Sequence, residues 1–303
     1  MFKMISPPFL KKGDKIGIVA SARKIGKAEL EPSLEIIRSN GFDVVYSSNI
    51  FSEDNQFAGS DKIRANELQQ MLDNKEIKAI IFARGGYGSV RIIDTLDFSR
   101  FISNPKWLIG YSDATVFHSH VLRNYDIQTL HASMPVNFQE NTKLALESLF
   151  DFLYGRLLQY EFKSHPINKT GIAEGILTGG NLSVLYSLLG SNSFPDTEGK
   201  ILFLEDLDEY LYHIDRMMMG LKRAGVLSNL AGLLIGGMTD MNDNTIPFGK
   251  TAEEIIRETV DKYNYPVYFG FPAGHMNDNR ALVMGREAKI IPKEKDTVSF
   301  VTL

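Results

Sequence analysis

The 303-residue chain contains no cysteine and only one tryptophan. Without cysteine there is no disulfide framework, no thiolate zinc site and no cysteine nucleophile, and nothing points to an oxidising compartment. Charge of one sign is not in excess either, because 33 basic residues stand against 37 acidic ones and the formal net charge is −4. Nucleic-acid-binding proteins usually carry a basic patch, so we expect no nucleic-acid partner.

Long apolar runs are missing as well. No stretch approaches the roughly 20 apolar residues that span a bilayer. The amino-terminal sequence MFKMISPPFLKKGDKIGIVA has no unbroken apolar segment before a small-residue cleavage site. We therefore expect a soluble, cytoplasmic protein without membrane contact. With 44% hydrophobic residues, the chain is long enough to bury one large core or two smaller ones.

The first half of the sequence alternates short apolar runs with segments of helical spacing. The apolar runs are Ile16–Ala20, Val44–Tyr46, Ala79–Ala83 and Trp107–Ile109. Two of the intervening segments place apolar residues on one helical face, namely Leu30, Leu34 and Ile37, and then Leu68, Met71 and Leu72. This alternation predicts βαβ units and a doubly wound parallel sheet. A helix over Leu144–Tyr154 closes the predicted amino-terminal α/β domain, residues 1–155.

The second half predicts a smaller α/β domain over residues 171–303. Residues 156–170 are polar and without clear periodicity, so we predict a linker there. Apolar runs predict strands at Ile201–Leu204, Gly232–Ile235 and Val267–Phe269, with helices between them. The last runs, Ala281–Met284, Ala288–Ile291 and Val298–Val301, predict a small antiparallel or barrel-like β piece.

The segment WLIGYSDAT, residues 107–115, predicts an apolar strand that turns tightly into a helix at Ser112. A turn of this kind exposes a serine hydroxyl and places backbone N–H groups of the helix start beside it. Serine is a weak nucleophile, so it needs both a base and donors for the developing oxyanion. The simpler interpretation is that Ser112 or Asp113 caps the following helix.

The segment FARGGYGSVR, residues 82–91, follows an apolar strand and is rich in glycine. Its spacing matches neither a Walker motif nor the dinucleotide fingerprint, so we expect no cofactor. Gly85, Gly86 and Gly88 permit a tight turn close to a ligand. At the carboxyl end of a strand beside Ser112, such a loop could give a backbone N–H to an oxyanion hole; the alternative is a plain glycine-rich turn.

Two further segments carry acid–base candidates. Glu205 follows an apolar strand and begins an acidic cluster with Asp206, Asp208 and Glu209, a pattern suited to acid–base chemistry but more often a solvated loop. His275 lies in the loop FGFPAGHMNDN and is the best placed of the six histidines for proton transfer, although loop histidines are more often structural. No histidine spacing typical of a metal site occurs, so we expect no bound metal.

Taken in order, these segments resemble the LD-carboxypeptidase family of serine peptidases, which also includes microcin C self-immunity proteins. The resemblance runs from GDKIGIVASA through RGGYGS, GYSDAT, GGNLSVL and FLED to GHMNDN. It implies Ser112 as nucleophile, Glu205 as acidic orienter and His275 as general base. It further implies an oxyanion hole formed by the backbone N–H groups of Gly86 and Asp113, and a homodimer.

The resemblance also implies the substrate, a muropeptide. The expected reaction is hydrolysis of the L,D-peptide bond that joins the terminal D-alanine to the diamino acid of a peptidoglycan tetrapeptide, in cell-wall recycling. Two alternatives remain open from the sequence. One is a peptidase of the same family that cleaves a peptidyl-nucleotide toxin, and the other is a non-enzymatic two-lobed protein that clamps a small ligand.

Overall fold

In the computed structural model, which describes residues 4–294 and 296–303, helices and strands alternate along most of the chain. The strands are β1 (Lys15–Val19), β2 (Asp43–Val45), β3 (Ile77–Phe82), β4 (Trp107–Gly110), β5 (Thr129–His131), β6 (Gln159–Lys163), β7 (Ala173–Asn181), β8 (Ile201–Leu207), β9 (Gly232–Thr239), β10 (Val267–Tyr268), β11 (Leu282–Met284), β12 (Glu287–Pro292) and β13 (Thr297–Thr302). The helices are α1 (Lys27–Ser39), α2 (Asp61–Asp73), α3 (Ser99–Ser103), α4 (Thr115–Tyr125), α5 (Lys143–Leu153), α6 (Leu182–Ser187), α7 (Leu211–Arg223) and α8 (Ala252–Thr259).

The strands form two sheets, and the α/β fold class predicted from the sequence is confirmed. The first sheet has the order β11-β5-β4-β3-β1-β2, in which β1 to β5 are parallel. The second has the order β10-β9-β8-β7-β12-β13-β6, with β7 to β10 parallel and the other strands antiparallel. The apolar helix faces predicted around Leu30 and Leu68 are buried.

Three details differ from the sequence-based predictions. Ala281–Met284 does not join the last β piece, because β11 pairs antiparallel with β5 at the edge of the first sheet. β12 and β13 are antiparallel as expected, but within the described residues they extend the open second sheet and form no separate barrel. The predicted linker, residues 156–170, contains β6, whose alternating buried Tyr160 and Phe162 pack in the core. A domain division near residue 155 stays a proposal.

The two sheets share one hydrophobic core. Ile109 and Leu130 of the first sheet belong to the same buried cluster as Phe203 and Phe271 of the second half. At the cleft end of this contact, the backbone N–H of Asn181 donates to Thr115 Oγ1 over 3.0 Å. The carboxyl ends of β3, β4, β7 and β8 thus lie near one another, the usual place for a binding site in open α/β sheets. No helix among the described residues is both long and apolar enough to cross a membrane.

Candidate active site

A cleft of about 500 Å³ lies between the two sheets. From the first half of the chain it is lined by Arg23, Arg84, Gly85, Gly86, Tyr111, Ser112, Met134, Val136 and Asn137. From the second half it is lined by Asn181, Ser183, Val184, Asp206, Leu207, Asp208, Glu209 and His275. The cleft therefore brings Ser112, Gly86 and His275 together from three segments far apart in sequence.

Ser112 lies on a tight turn between β4 and α4, as its segment predicts. The residue has a φ of 59°, in the left-handed region that non-glycine residues rarely adopt. A short 3₁₀ turn, Ser112–Ala114, then leads into α4. Neither this turn nor α4 has a side-chain cap, so the helix-cap interpretation of Ser112 and Asp113 is wrong. Backbone strain of this kind persists where the surroundings enforce it, often at functional sites.

Asp113 points away from the cleft, and its carboxylate accepts the backbone N–H of Ser89 over 2.8 Å. This bond fixes the start of α4 to the glycine loop that follows β3. Burial raises the pKa of Asp113, partly offset by hydrogen bonds from Ser89. The backbone N–H of Asp113 belongs to the first residues of the helical turn, which lack acceptors within a helix.

The glycine loop after β3 packs directly against Ser112. A Cβ added to Gly85 would lie 2.9 Å from both Cβ and Oγ of Ser112, closer than real Cβ contacts. Gly86 has a φ of 103°, and an added Cβ would lie 2.8 Å from Cβ of Arg23. Glycine at position 85 lets the loop backbone approach Ser112, and glycine at position 86 lets it pack against Arg23. The sequence after Gly88 predicts a helix, but this segment forms two short 3₁₀ turns instead.

His275 and Glu205 form a hydrogen-bonded pair in the opposite wall. Glu205 Oε2 accepts from Nδ1 of His275 at 2.7 Å and from its backbone N–H at 3.2 Å. Glu205 is completely buried, whereas the His275 side chain is 14% exposed toward the cleft. Gly274, with a φ of 111°, permits this approach, because an added Cβ would lie 2.7 Å from Glu205 Oε2. The loop is further held by Asn279 Oδ1, which accepts the Gly274 N–H over 2.8 Å.

The electrostatics of the pair favour the charged form of each partner. Burial alone would lower the pKa of His275, but the charge and hydrogen bond of Glu205 outweigh it and raise that pKa. Burial alone would raise the pKa of Glu205, and the charge and hydrogen bond of His275 lower it below its ordinary value. A carboxylate held against Nδ1 leaves Nε2 as the nitrogen free to exchange a proton in the cleft.

Ser112 Oγ has no hydrogen-bond partner among the residues that the structure describes. Ser112 and His275 both line the cleft. Tyr111 lies between the two segments, with its ring 4.7 Å from that of His275. The Tyr111 hydroxyl donates to Asn137 Oδ1 over 2.9 Å, which holds the aromatic ring in the cleft wall.

The prediction that the acidic cluster after Glu205 is a solvated loop is wrong for Asp206. It is 2% exposed and accepts from the Asn181 side chain and the Ser183 backbone N–H, over 2.9 and 2.8 Å. Burial, and next the charge of Glu205, raise the pKa of Asp206 to about 6. β8 continues to Leu207, so Asp206 is part of a buried strand. Asp208 and Glu209 do line the cleft, and Asp208 is exposed with a φ of 57°.

Sequence reasoning missed Arg23, Asn181 and Asn137 as cleft residues. One available signal was position, because Arg23 follows β1 and Asn181 ends β7, and both strands end at the cleft. A second signal was the pair Gly179-Gly180 before Asn181. A Cβ on Gly180 would lie 2.5 Å from Thr115 Oγ1, so glycine is needed where β7 meets the start of α4.

Comparison with known proteins places the chain in a class of peptidases with an α/β fold. The model of the LD-carboxypeptidase N-terminal domain matches residues 16–132, and that of the LD-carboxypeptidase C-terminal domain matches residues 174–290. The chain belongs to the LD-carboxypeptidase family, as its sequence motifs indicate.

Individual relatives agree with this membership. A probable murein peptide carboxypeptidase of Bacillus subtilis is 33% identical, over 96% of this chain and 93% of that protein. The Microcin C7 self-immunity protein MccF of Escherichia coli is 26% identical, over 90% of this chain and 89% of that protein. The crystal structure of muramoyltetrapeptide carboxypeptidase from Oxalobacter formigenes superposes with a TM-score of 0.86 at 25% identity, covering 95% of this chain and 98% of that one.

Proposed function

We propose that the protein is a serine LD-carboxypeptidase that releases the terminal D-alanine from a peptidoglycan tetrapeptide. The observation that carries the proposal is a cleft lined by both Ser112, on a strained turn, and His275, which is hydrogen-bonded to the buried Glu205. A serine, a histidine and a carboxylate in these relations can carry out acyl transfer on any fold. The names of the murein-peptide relatives support a muropeptide as the substrate class.

In the proposed mechanism His275 Nε2 takes the proton of Ser112 as Oγ attacks the scissile carbonyl carbon. The resulting oxyanion is stabilised by the backbone N–H groups of Gly86 and Asp113. His275⁺ then gives its proton to the leaving amine of D-alanine. Water attacks the acyl-enzyme by the same route, with His275 as base, and Ser112 regains its proton. Glu205 keeps Nδ1 protonated and stabilises the imidazolium.

Charges of opposite sign line the two walls of the cleft, and this fits a zwitterionic peptide. Arg23 and Arg84 lie on the serine side, while Asp208 and Glu209 lie on the other. Arg84 is already paired with Glu29 over 2.9 Å, whereas Arg23 has no acidic partner among the described residues. We propose that Arg23 binds the carboxylate of the terminal D-alanine. The acidic wall would then accept the side-chain ammonium of the diamino acid.

Replacing Arg23 by glutamine is expected to raise KM for the tetrapeptide by about 10- to 100-fold, with a smaller change in kcat. The reason is that a hydrogen bond to a charged group contributes about 1.5–3 kcal/mol. Steady-state kinetics of D-alanine release measure both constants. Lys24→Gln is the matched control, because Lys24 pairs with Glu53 over 2.6 Å and does not line the cleft. A KM of Arg23→Gln equal to that of the control would contradict this assignment.

The substrate assignment is tested with a panel of purified ligands. We expect release of D-alanine from the free tetrapeptide and from the muropeptide, detected by mass spectrometry, and no release from the epimer that ends in L-alanine. The second candidate substrate is a peptidyl-nucleotide toxin, which the resemblance to microcin self-immunity proteins such as MccF implies. Faster cleavage of an aminoacyl sulfamoyl nucleoside than of the tetrapeptide would replace the first assignment by the second. Family membership favours an enzyme over the two-lobed binding protein.

A cytoplasmic location and a homodimer remain part of the proposal. The location is an expectation from the amino-terminal sequence and the lack of long apolar runs, and the homodimer is implied by the resemblance to the family. Size-exclusion chromatography with light scattering on the full chain is expected to give about twice the 34.0 kDa of one chain.

A further inference from the structure

His131, the last residue of β5, is a buried histidine that the proposed mechanism does not use. It is 0% exposed, and neither ring nitrogen has a hydrogen-bond partner of good geometry among the described residues. A neutral imidazole carries one N–H donor and one acceptor, and burying either without a partner costs free energy. The other fully buried histidine of this region, His118, is satisfied by Thr129 Oγ1 and the Gly110 carbonyl, each at 2.9 Å.

Glu205 likewise has a buried oxygen without a hydrogen-bond partner. Its Oε2 accepts two hydrogen bonds from His275, but its Oε1 is buried and without a partner in the described part of the chain. A carboxylate oxygen in a low-dielectric interior needs a donor. Asn181, which lies opposite Glu205 on β7, also helps to lower the pKa of Glu205. Its side-chain amide donates to Asp206, however, and makes no hydrogen bond of good geometry to Glu205 Oε1.

The two deficient groups occupy the same buried region. The ring of His131 packs edge-on against Phe203, with centroids 5.1 Å apart. Phe203 and Glu205 are two residues apart on β8 and therefore point to the same face of the strand. His131 and Glu205 also interact electrostatically, each changing the pKa of the other. Burial holds the pKa of His131 to about 4, so its ring is neutral near neutral pH and keeps one N–H.

We propose that His131 is a positioning residue for the reaction. A small rotation of its ring would let its N–H donate to Glu205 Oε1, a hydrogen bond that the structure does not itself form, and so hold Oε2 toward His275. This role rests on the proposed serine mechanism. In this arrangement His131 orients Glu205, Glu205 orients His275, and His275 acts on Ser112. Groups that orient a catalytic side chain in this way lower activity by about 10- to 100-fold when they are removed.

The test compares His131→Phe, which keeps a ring but has no N–H, with His131→Gln, which keeps a donor. For His131→Phe we expect kcat about 10- to 100-fold lower and KM little changed, and for His131→Gln we expect most of the activity back. His118→Asn is the matched control, since it also removes a buried imidazole from the same core but one that does not serve Glu205. It should lower the melting temperature without a loss of kcat per folded molecule.

A proton NMR measurement distinguishes positioning from a merely structural role. The Nδ1–H of His275 bonded to Glu205 should give a far-downfield resonance, assigned by its loss in His275→Gln. We expect this resonance in the wild type, His118→Asn and His131→Gln, and its broadening or loss in His131→Phe. If His131→Phe does not fold, the ring nitrogens of His131 in the wild type still report the contact, because their ¹⁵N signals should move in Glu205→Gln.

Equal kcat and an unchanged resonance in His131→Phe, or no advantage of glutamine over phenylalanine, would overturn the role of His131. A wild-type protein that releases no D-alanine would instead refute the proposed substrate. In that event the resonance and ¹⁵N comparisons still decide whether His131 serves Glu205.

Discussion

Replacing Ser112 by alanine is expected to lower kcat for D-alanine release by about 10⁴- to 10⁶-fold, while KM changes little. The substitution removes the attacking oxygen but leaves the cleft, the charged walls and the oxyanion donors in place. The remaining rate reflects binding and electrostatic stabilisation alone. Steady-state kinetics at high enzyme concentration measure the loss, and circular dichroism confirms that the variant is folded.

Ser119→Ala is the control for this substitution. Ser119 lies on α4, the helix that follows Ser112, and its hydroxyl is buried without a partner among the described residues. Its removal should leave kcat within a few-fold of the wild type. Activity of Ser112→Ala within tenfold of this control would mean that another group attacks the substrate.

The second large effect is expected for Glu205→Gln, with a loss of about 10⁴-fold in kcat. Glutamine has nearly the shape of glutamate, but it removes the charge that stabilises the imidazolium and no longer fixes Nδ1 as the protonated nitrogen. Kinetics over a range of pH add a directional test. With the carboxylate gone, burial dominates and the pKa of His275 falls below its ordinary value, so the acid limb of kcat/KM shifts to lower pH.

The pH dependence of the folding stability should also reflect the His275–Glu205 pair. The raised pKa of His275 contributes stability that is present below its ordinary pKa and is lost as pH rises through the raised one. The lowered pKa of Glu205 contributes stability that is present above its ordinary pKa and is lost as pH falls through the lowered one. The stabilisation of the wild type relative to Glu205→Gln is therefore expected to be greatest at roughly pH 4.5–6.5 and to decrease on either side.

Thermal unfolding of the two proteins at several pH values checks this window. Glu53→Gln is the control, since it removes a carboxylate from an exposed ion pair with Lys24 away from the cleft. A stability difference for Glu205→Gln that grows steadily above pH 7 would contradict the pairing of Glu205 with His275.

Local patterns predicted most of the fold. The apolar faces of α1 and α2, the strand–turn–helix at Ser112 and the loop after β3 follow from residue spacing, because such features depend on neighbours in sequence. β11 and β6 could not be placed in this way. Each is a short strand whose partners, β5 and β13, lie more than 130 residues away, so the pairing is decided by tertiary packing.

The candidate site shows the same limit. The motifs indicated Ser112, Glu205 and His275 as separate candidates, but no local pattern shows that Glu205 is fully buried beneath His275. For Asp206 the local pattern was misleading, because an acidic run indicates a solvated loop whereas the strand buries this residue. His131 carried no motif of its own. Its unpartnered nitrogens become visible only when β5 and β8 are brought together.

The most direct test of a nucleophilic Ser112 is its covalent labelling. The enzyme is treated with a fluorophosphonate, which loses fluoride when an activated serine attacks phosphorus, and peptides are then analysed by mass spectrometry. We expect one adduct per chain, on Ser112, appearing in step with the loss of tetrapeptidase activity, slowed by the tetrapeptide and absent from Ser112→Ala. Loss of activity with the adduct on another residue, or equal labelling of Ser112→Ala, would contradict a serine mechanism centred on Ser112.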